Sequence, residues 1–207
     1  MSTKSQLTQQ LGVVAGFDDP QVDLEQYRTP PGLASYLVHS ADLRGDIDDR
    51  VVIDLGCGTG MLALAATLRG PERVVGLDID RGALRTAREN KRRIASTTEV
   101  SWVQADATRA PLCPPDETTV IMNPPFGAQD GNEHADRAFL ETTASIADVS
   151  YSIHNAGSGE FVEAFAADNG GEITHAYGAE FTLPKQFDHQ QEDSRVIDVE
   201  LFRIEWR

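Results

Sequence analysis

Val51-Val52-Ile53-Asp54-Leu55-Gly56-Cys57-Gly58-Thr59-Gly60 is the stretch that decides the fold. Val51 to Leu55 reads as a continuous, largely apolar strand. Three glycines follow at alternate positions, and Met61 to Leu68 then reads as a helix. Glycine permits positive φ and lets the backbone come close to a ligand. In nucleotide-binding sheets, ligands sit beyond the carboxyl ends of such strands. The dinucleotide fingerprint Gly-x-Gly-x-x-Gly does not fit, because Gly60 comes too early.

Outward from that turn, strands and helices alternate, the signature of a parallel sheet covered on both faces. Arg73 to Asp78 reads as the second strand and Arg81 to Ile94 as its helix, with Asp80 placed to cap it. Val100 to Gln104 and Thr118 to Met122 read as the third and fourth strands. Helix His134 to Ala147 leads to strand Val149 to Ile153, and Gly159 to Ala167 is helical. Ile173 to Phe181 and Val196 to Trp206 close the chain as two long strands. Only a short polar loop joins them, which predicts an antiparallel pair. Upstream, Lys4 to Val14 reads as a short helix, and Pro30-Pro31 opens a second one, Gly32 to Leu43.

The chain has 207 residues, enough for one domain with a sizeable core, and no composition break suggests a second domain. No window approaches the roughly 18 continuous apolar residues of a membrane span. The N-terminus lacks the apolar core of a signal peptide, so a cytoplasmic protein is expected. Cys57 and Cys113 are the only cysteines and have no metal-ligand spacing. Both read as small buried hydrophobes, and no metal is expected. The net charge is −15, and only three lysines occur, Lys4, Lys91 and Lys185. Such acidity by itself argues against a polyanionic partner. A second cause is a salt-rich cytoplasm, as in halophiles: in molar salt the Debye length falls to about 3 Å and self-repulsion nearly vanishes.

Three further acids extend the turn into a binding constellation. Asp54 stands one residue before the end of the first strand. Asp78 ends the second, 18 residues after Gly60, where a carboxylate can accept bonds from both ribose hydroxyls. Asp106 follows the third, where it can accept from an adenine amino group. At the end of the fourth strand stands Asn123-Pro124-Pro125-Phe126. An exocyclic amine on a conjugated ring is a poor nucleophile, because its lone pair is delocalised. A carboxamide oxygen and a main-chain carbonyl can accept its two N–H bonds and favour a pyramidal nitrogen in the transition state. The prolines stiffen the turn and expose the Pro124 carbonyl. Phe126 offers a face on which a flipped-out base can stack.

This order of motifs resembles the class I methyltransferases. The resemblance implies a Rossmann-like α/β fold: a seven-stranded, mostly parallel sheet with a C-terminal antiparallel hairpin and helices on both faces. It implies S-adenosylmethionine as cofactor and S-adenosylhomocysteine as product. Gly56, Gly58 and Gly60 would pass beside the methionine moiety, Asp78 would hold the ribose, and Asp106 with Ala107 the adenine. The Asn123 motif implies an amino methyltransferase acting on adenine, cytosine, guanine or glutamine.

Flanking segments narrow the resemblance. Leu24-Glu25-Gln26-Tyr27-Arg28-Thr29-Pro30, Ile121 to Gly127, Ala135 to Leu140, Tyr151-Ser152-Ile153-His154 and Ile197 to Arg203 occur in that order. Together they resemble the methyltransferase-like protein 5 family of archaea and eukaryotes. That family methylates adenine N6 in small-subunit ribosomal RNA, with a zinc-binding activator of the Trm112 type as partner in eukaryotes. Carried over, Gln26, Thr29, Thr59 and Met61 join Asp54 and Asn123 at the cofactor. Residues 1–45 become a helical extension contributing to the site of a single domain spanning 1–207. Tyr27, Phe126, His154 and His189 become candidates for substrate contact. The family's lysine-rich segment reads His189-Gln190-Gln191-Glu192-Asp193 here, without a lysine, which suits salt adaptation. RNA adenine-N6 methylation is therefore the expected activity. A protein glutamine methyltransferase, a DNA adenine methyltransferase and a non-catalytic cofactor-binding subunit are the alternatives.

Overall fold

The computed structural model describes residues 3–115, 117–125, 135–184 and 194–207. Among them the chain forms six helices and seven strands. The helices are α1 (Lys4–Leu11), α2 (Pro31–Asp42), α3 (Met61–Thr67), α4 (Arg81–Arg93), α5 (Ala135–Ile146) and α6 (Gly159–Asp168). The strands are β1 (Val51–Leu55), β2 (Arg73–Asp78), β3 (Val100–Gln104), β4 (Thr118–Met122), β5 (Val149–Asn155), β6 (Gly171–Pro184) and β7 (Ser194–Trp206). They make one sheet in the order β3-β2-β1-β4-β5-β7-β6. The first five are mutually parallel, and β7 inserts antiparallel between β5 and β6. The expected sheet with its closing hairpin is therefore present.

Side-chain alternation along the strands splits the core into two layers. From β1, Val52 faces α1, α2 and α3, whereas Val51, Ile53 and Leu55 face α5 and α6. All five β1 residues are buried, as a central strand covered on both faces must be. The helix starts follow local chemistry. Thr3 and Gln6 make a capping box at α1, Pro31 occupies the first turn of α2, and Asp80 accepts the Gly82 N–H at 2.7 Å to cap α4.

The hairpin is longer than the sequence pattern predicts, because β6 begins at Gly171 and runs to Pro184. It is anchored by a buried ion pair. Arg203 on β7 donates to both carboxylate oxygens of Asp46, at 2.8 and 3.1 Å, and Tyr151 donates to Asp46 at 2.6 Å. Pairing with full hydrogen bonding is what lets such charges be buried. Among the described residues, no helix is long and apolar enough to cross a membrane.

Candidate active site

A cavity opens at the carboxyl ends of β1, β2 and β4, where the switch in strand order leaves a crevice. The glycine turn forms its floor. Gly56, Gly58 and Gly60 all have positive φ, at 69°, 51° and 88°. A Cβ on Gly58 would stand 2.8 Å from the Phe17 ring, so the turn has room for hydrogen only. Gly56, Gly58, Thr59 and Met61 line the cavity. Gly60 does not; it is the left-handed N-cap of α3, against Trp102.

The acids are fixed by backbone donors. Asp54 is 1% exposed, and its Oδ2 accepts the Ala63 N–H at 2.8 Å. Its Oδ1 is buried without a hydrogen-bond partner. Burial pushes the Asp54 carboxyl up to about 8, and the charge of Asp78 adds to that. Asp78 accepts the Gly58 N–H at 2.7 Å on Oδ2 and the Asp80 N–H at 2.8 Å on Oδ1. Burial raises its carboxyl, while those two N–H bonds oppose the rise. Asp106 is exposed at the rim and uses one oxygen, Oδ1, to accept the Thr108 N–H and hydroxyl at 2.9 and 2.7 Å. Beside it, Ala107 is buried and lines the cavity.

The segment before α2 closes the other side. Gln26 donates from Nε2 to Asp80 at 2.8 Å and accepts the Gln21 N–H at 2.9 Å. Although burial works against it, the bonds from Gln26 and Gly82 hold the Asp80 carboxyl below its ordinary value. At the end of β4, Asn123 donates from Nδ2 to the Thr29 hydroxyl at 2.9 Å. Tyr27 donates its hydroxyl to Asn123 Oδ1 at 3.0 Å. Burial drives the Tyr27 phenol far above its usual range, so it stays a neutral donor. Gln26, Tyr27, Thr29, Asn123 and Pro125 all line the cavity, and Pro124 between the last two is buried.

Phe126 and His189 lie outside the described residues. His154 lies away from the cavity: it is 1% exposed, with Nε2 2.9 Å from the Ser152 hydroxyl and its ring against Phe202. Burial lowers it to about 4, so the ring is neutral at pH 7. Cys57 is buried in the cavity wall as expected, but Cys113 is exposed. That expectation is corrected because Cys113 falls in the irregular segment between β3 and β4, where no element covers it. Phe17, Leu62 and the half-exposed Ile79 also line the cavity, although no sequence motif marks them, as does Phe139 from the family-like segment Ala135 to Leu140. Ile79 was within reach of sequence reasoning, since it directly follows the acid that ends β2.

The cavity suits the cofactor implied by its motifs. S-adenosylmethionine carries an ammonium group on its methionine part, and the unpartnered Asp54 Oδ1 is a buried acceptor for such a cation. Gly58, at positive φ, lines the cavity with bare backbone, and Phe17 packs against it where a Cβ would stand.

Comparison with known proteins agrees. The model of the methyltransferase small domain matches residues 34–147. The chain is 32% identical to the rRNA N(6)-adenosine-methyltransferase Mettl5 of Drosophila melanogaster, covering 96% of this chain and 94% of that protein. It is 31% identical to the corresponding protein of Danio rerio, over 92% and 93% of the two chains. The crystal structure of PH1948 from Pyrococcus horikoshii superposes with a TM-score of 0.89 at 36% identity, covering 100% of this chain and 98% of that one. Near-full coverage in both directions means that the resemblance extends beyond the common cofactor sheet to the segment before α2 and the closing hairpin. The chain belongs to the methyltransferase-like protein 5 family of S-adenosylmethionine-dependent methyltransferases.

Proposed function

We propose that this protein transfers the methyl group of S-adenosylmethionine to N6 of one adenosine in small-subunit ribosomal RNA. The observation that supports this most is the Asn123 amide, fixed by Thr29 and Tyr27 at the mouth of the cofactor cavity. Thr29 takes the amide nitrogen, which leaves the oxygen as the acceptor of the group. A carbonyl oxygen has two lone pairs, and Tyr27 uses one of them. The other accepts an N–H of the adenine amine, and the Pro124 carbonyl accepts the second. Both bonds strengthen as the nitrogen becomes pyramidal, so they act on the transition state. Phe126 stacks on the extruded base. The relatives from fly and zebrafish bear names that specify rRNA adenosine N6, which supports the same substrate class.

The cofactor supplies an electrophilic methyl group on a sulfonium. Asp54, Gly56, Gly58, Thr59 and Met61 hold its methionine end, with Gly60 setting the turn. Asp78 holds the ribose, Asp106 and Ala107 the adenine, and Gln26 and Thr29 close the site. In-line placement of methyl and amine carries much of the rate.

We read residues 1–207 as one domain in which 1–45 complete the site. The host compartment is a salt-rich archaeal cytoplasm, and a Trm112-type protein is the activator. The salt reading expects a melting temperature that climbs with KCl; greatest stability at low salt would end it. Co-purification from the native host tests the activator.

The deciding experiment is incubation with tritiated cofactor and unmodified ribosomal RNA, followed by mapping of N6-methyladenosine. Label at one adenosine of the small-subunit RNA is expected. Label in a Gly-Gly-Gln peptide or in DNA, with none in RNA, would overturn the proposal.

A further inference from the structure

Helix α4 reads Arg81-Gly82-Ala83-Leu84-Arg85-Thr86-Ala87-Arg88-Glu89-Asn90-Lys91-Arg92-Arg93. Its 13 residues carry six of the chain's 18 basic side chains and a single acid, Glu89. The protein as a whole has 33 acids, so this is a local reversal of sign. Ala83, Leu84, Ala87 and Asn90 are the buried face, packed toward β2 and β3. Arg81, Arg85, Arg88 and Arg92 are all exposed and recur at intervals of four, three and four. That spacing sets them in one stripe along the helix, about 16 Å long at 1.5 Å per residue. Among the described residues, none of these four arginines forms an ion pair.

Helix stability accounts for Arg92, in the last turn, but not for the start of the stripe. The positive end of the helix dipole favours acids in the first turn, and this helix has none there. Arg81 and Arg85 stand at the unfavourable end. Arg81 with Arg85, Arg85 with Arg88, and Arg88 with Arg92 are like-charged neighbours that repel on a helix surface. Lys91 and Arg93 have local partners, in the Ser96 carbonyl and the Asn90 side chain. Among the described residues, no such hydrogen bond ties down the four arginines of the stripe.

Its position joins it to the cavity. Arg81 directly follows Asp80, which holds Gln26, and Ile79 lines the opening. The ends of β2 and β4 are two strand spacings apart, about 10 Å, so the stripe starts within reach of a strand bound at Asn123. We infer that Arg81, Arg85, Arg88 and Arg92 form a track for the phosphates of the substrate RNA, an inference that rests on the RNA reading above. Guanidinium groups hold phosphate by paired N–H bonds, and four in line match a polyanion rather than a single ion. The track supplies the basic surface that the lysine-free stretch after His189 lacks.

The test uses the full chain and the charge-neutral variant Arg85→Gln/Arg88→Gln/Arg92→Gln. Binding of unmodified small-subunit ribosomal RNA is measured by fluorescence anisotropy across the KCl range in which cofactor still binds. The triple variant is expected to bind at least about tenfold more weakly. Its plot of log affinity against log salt should be shallower by about 2, at roughly 0.7 for each phosphate no longer neutralised. Arg73→Gln, at the far end of β2, should leave the slope unchanged. Cofactor affinity by calorimetry reports folding and should match the wild type. In turnover, KM for RNA should rise while kcat at saturating RNA stays. Equal affinity and slope in the triple variant and the wild type would overturn the track. So would loss of a co-purifying acidic protein with RNA binding intact, which would make the stripe a protein-docking face. A wild type that binds no RNA at any salt would remove the RNA reading itself, and the track with it.

Discussion

At the cofactor end of the cavity, the bonds that fix Asp54 and Asp78 join residues only 9 and 20 apart in sequence. At the reacting end, Asn123 is fixed by Thr29 and Tyr27, 94 and 96 residues away. The first set closes once β1, α3 and β2 are in place. The second requires the segment before α2 to dock on the end of β4. On the proposed assignment, cofactor binding and methyl transfer fall to parts of the molecule with different sequence reach. A change at one end should leave the other measurable.

Asn123→Ala makes the sharpest break. It should lower kcat by about 10²- to 10³-fold, as for loss of one group that acts on the transition state. Cofactor affinity by calorimetry should stay near the wild-type value; an equal loss in both would show that the ends are not separable. Gly58→Ala attacks the opposite end. At φ 51° the new methyl would be strained and would meet Phe17 at 2.8 Å. Cofactor affinity should weaken about tenfold, from a strain of roughly 1–2 kcal/mol, with kcat recovered at saturating cofactor. Unimpaired binding would mean that the turn can relax.

Thr29→Val and Tyr27→Phe grade the reacting end. Valine leaves the Asn123 Nδ2 group without its acceptor, so kcat should fall about tenfold. Phenylalanine removes only a donor to Oδ1, an atom that the proposed mechanism also gives to the substrate, and about threefold is expected. The reverse order in single-turnover rates would assign the orienting role to Tyr27.

The smallest effect is one of pH. The Asp54 carboxyl, raised from 3.8 to about 8, makes a contribution to the free protein's stability that is full below pH 4 and is lost as pH rises toward 8. A bound ammonium group favours the ionised carboxylate. Cofactor binding should therefore release protons between pH 4 and 8 and tighten as pH rises. Calorimetry at pH 6.5 in buffers of differing ionisation enthalpy reads this directly. Asp54→Asn should abolish the release; persistence of the release in that variant would assign it to another group.

Much of the cofactor end was legible in the sequence, because its information is local. A buried strand, a glycine turn and an acid at the next strand's end follow from short-range chemistry. Asp54, Gly56, Gly58 and Asp78 accordingly stand together in the cavity. The pairing of Tyr27 with Asn123 had no local sign. Each residue sits in a recognisable segment, but nothing in either segment names the other, and only the path of the chain brings them together. Phe17 was illegible for a similar reason: an isolated aromatic looks the same whether it fills a core or walls a cavity. His154 lies next to family-like residues in sequence, yet the inward side of β5 carries it away from the opening. The third glycine was legible as a glycine but not as a cap, since left-handed φ serves both ligand approach and helix starts.

Cys57 sits in the same turn, buried beside Asp54 and Asp78. Burial pushes its thiol well above the ordinary value, and the two carboxylates push it further. Only the thiolate is a strong nucleophile, so the sulfur is kept in its unreactive form. A thiol kept neutral beside the proposed site of an alkylating cofactor is a poor competitor for its methyl group. Asp54 and Asp78, the acids proposed to hold the cofactor, both work against ionisation of that thiol. Exposed Cys113 is left as the thiol that reacts first with a labelling reagent.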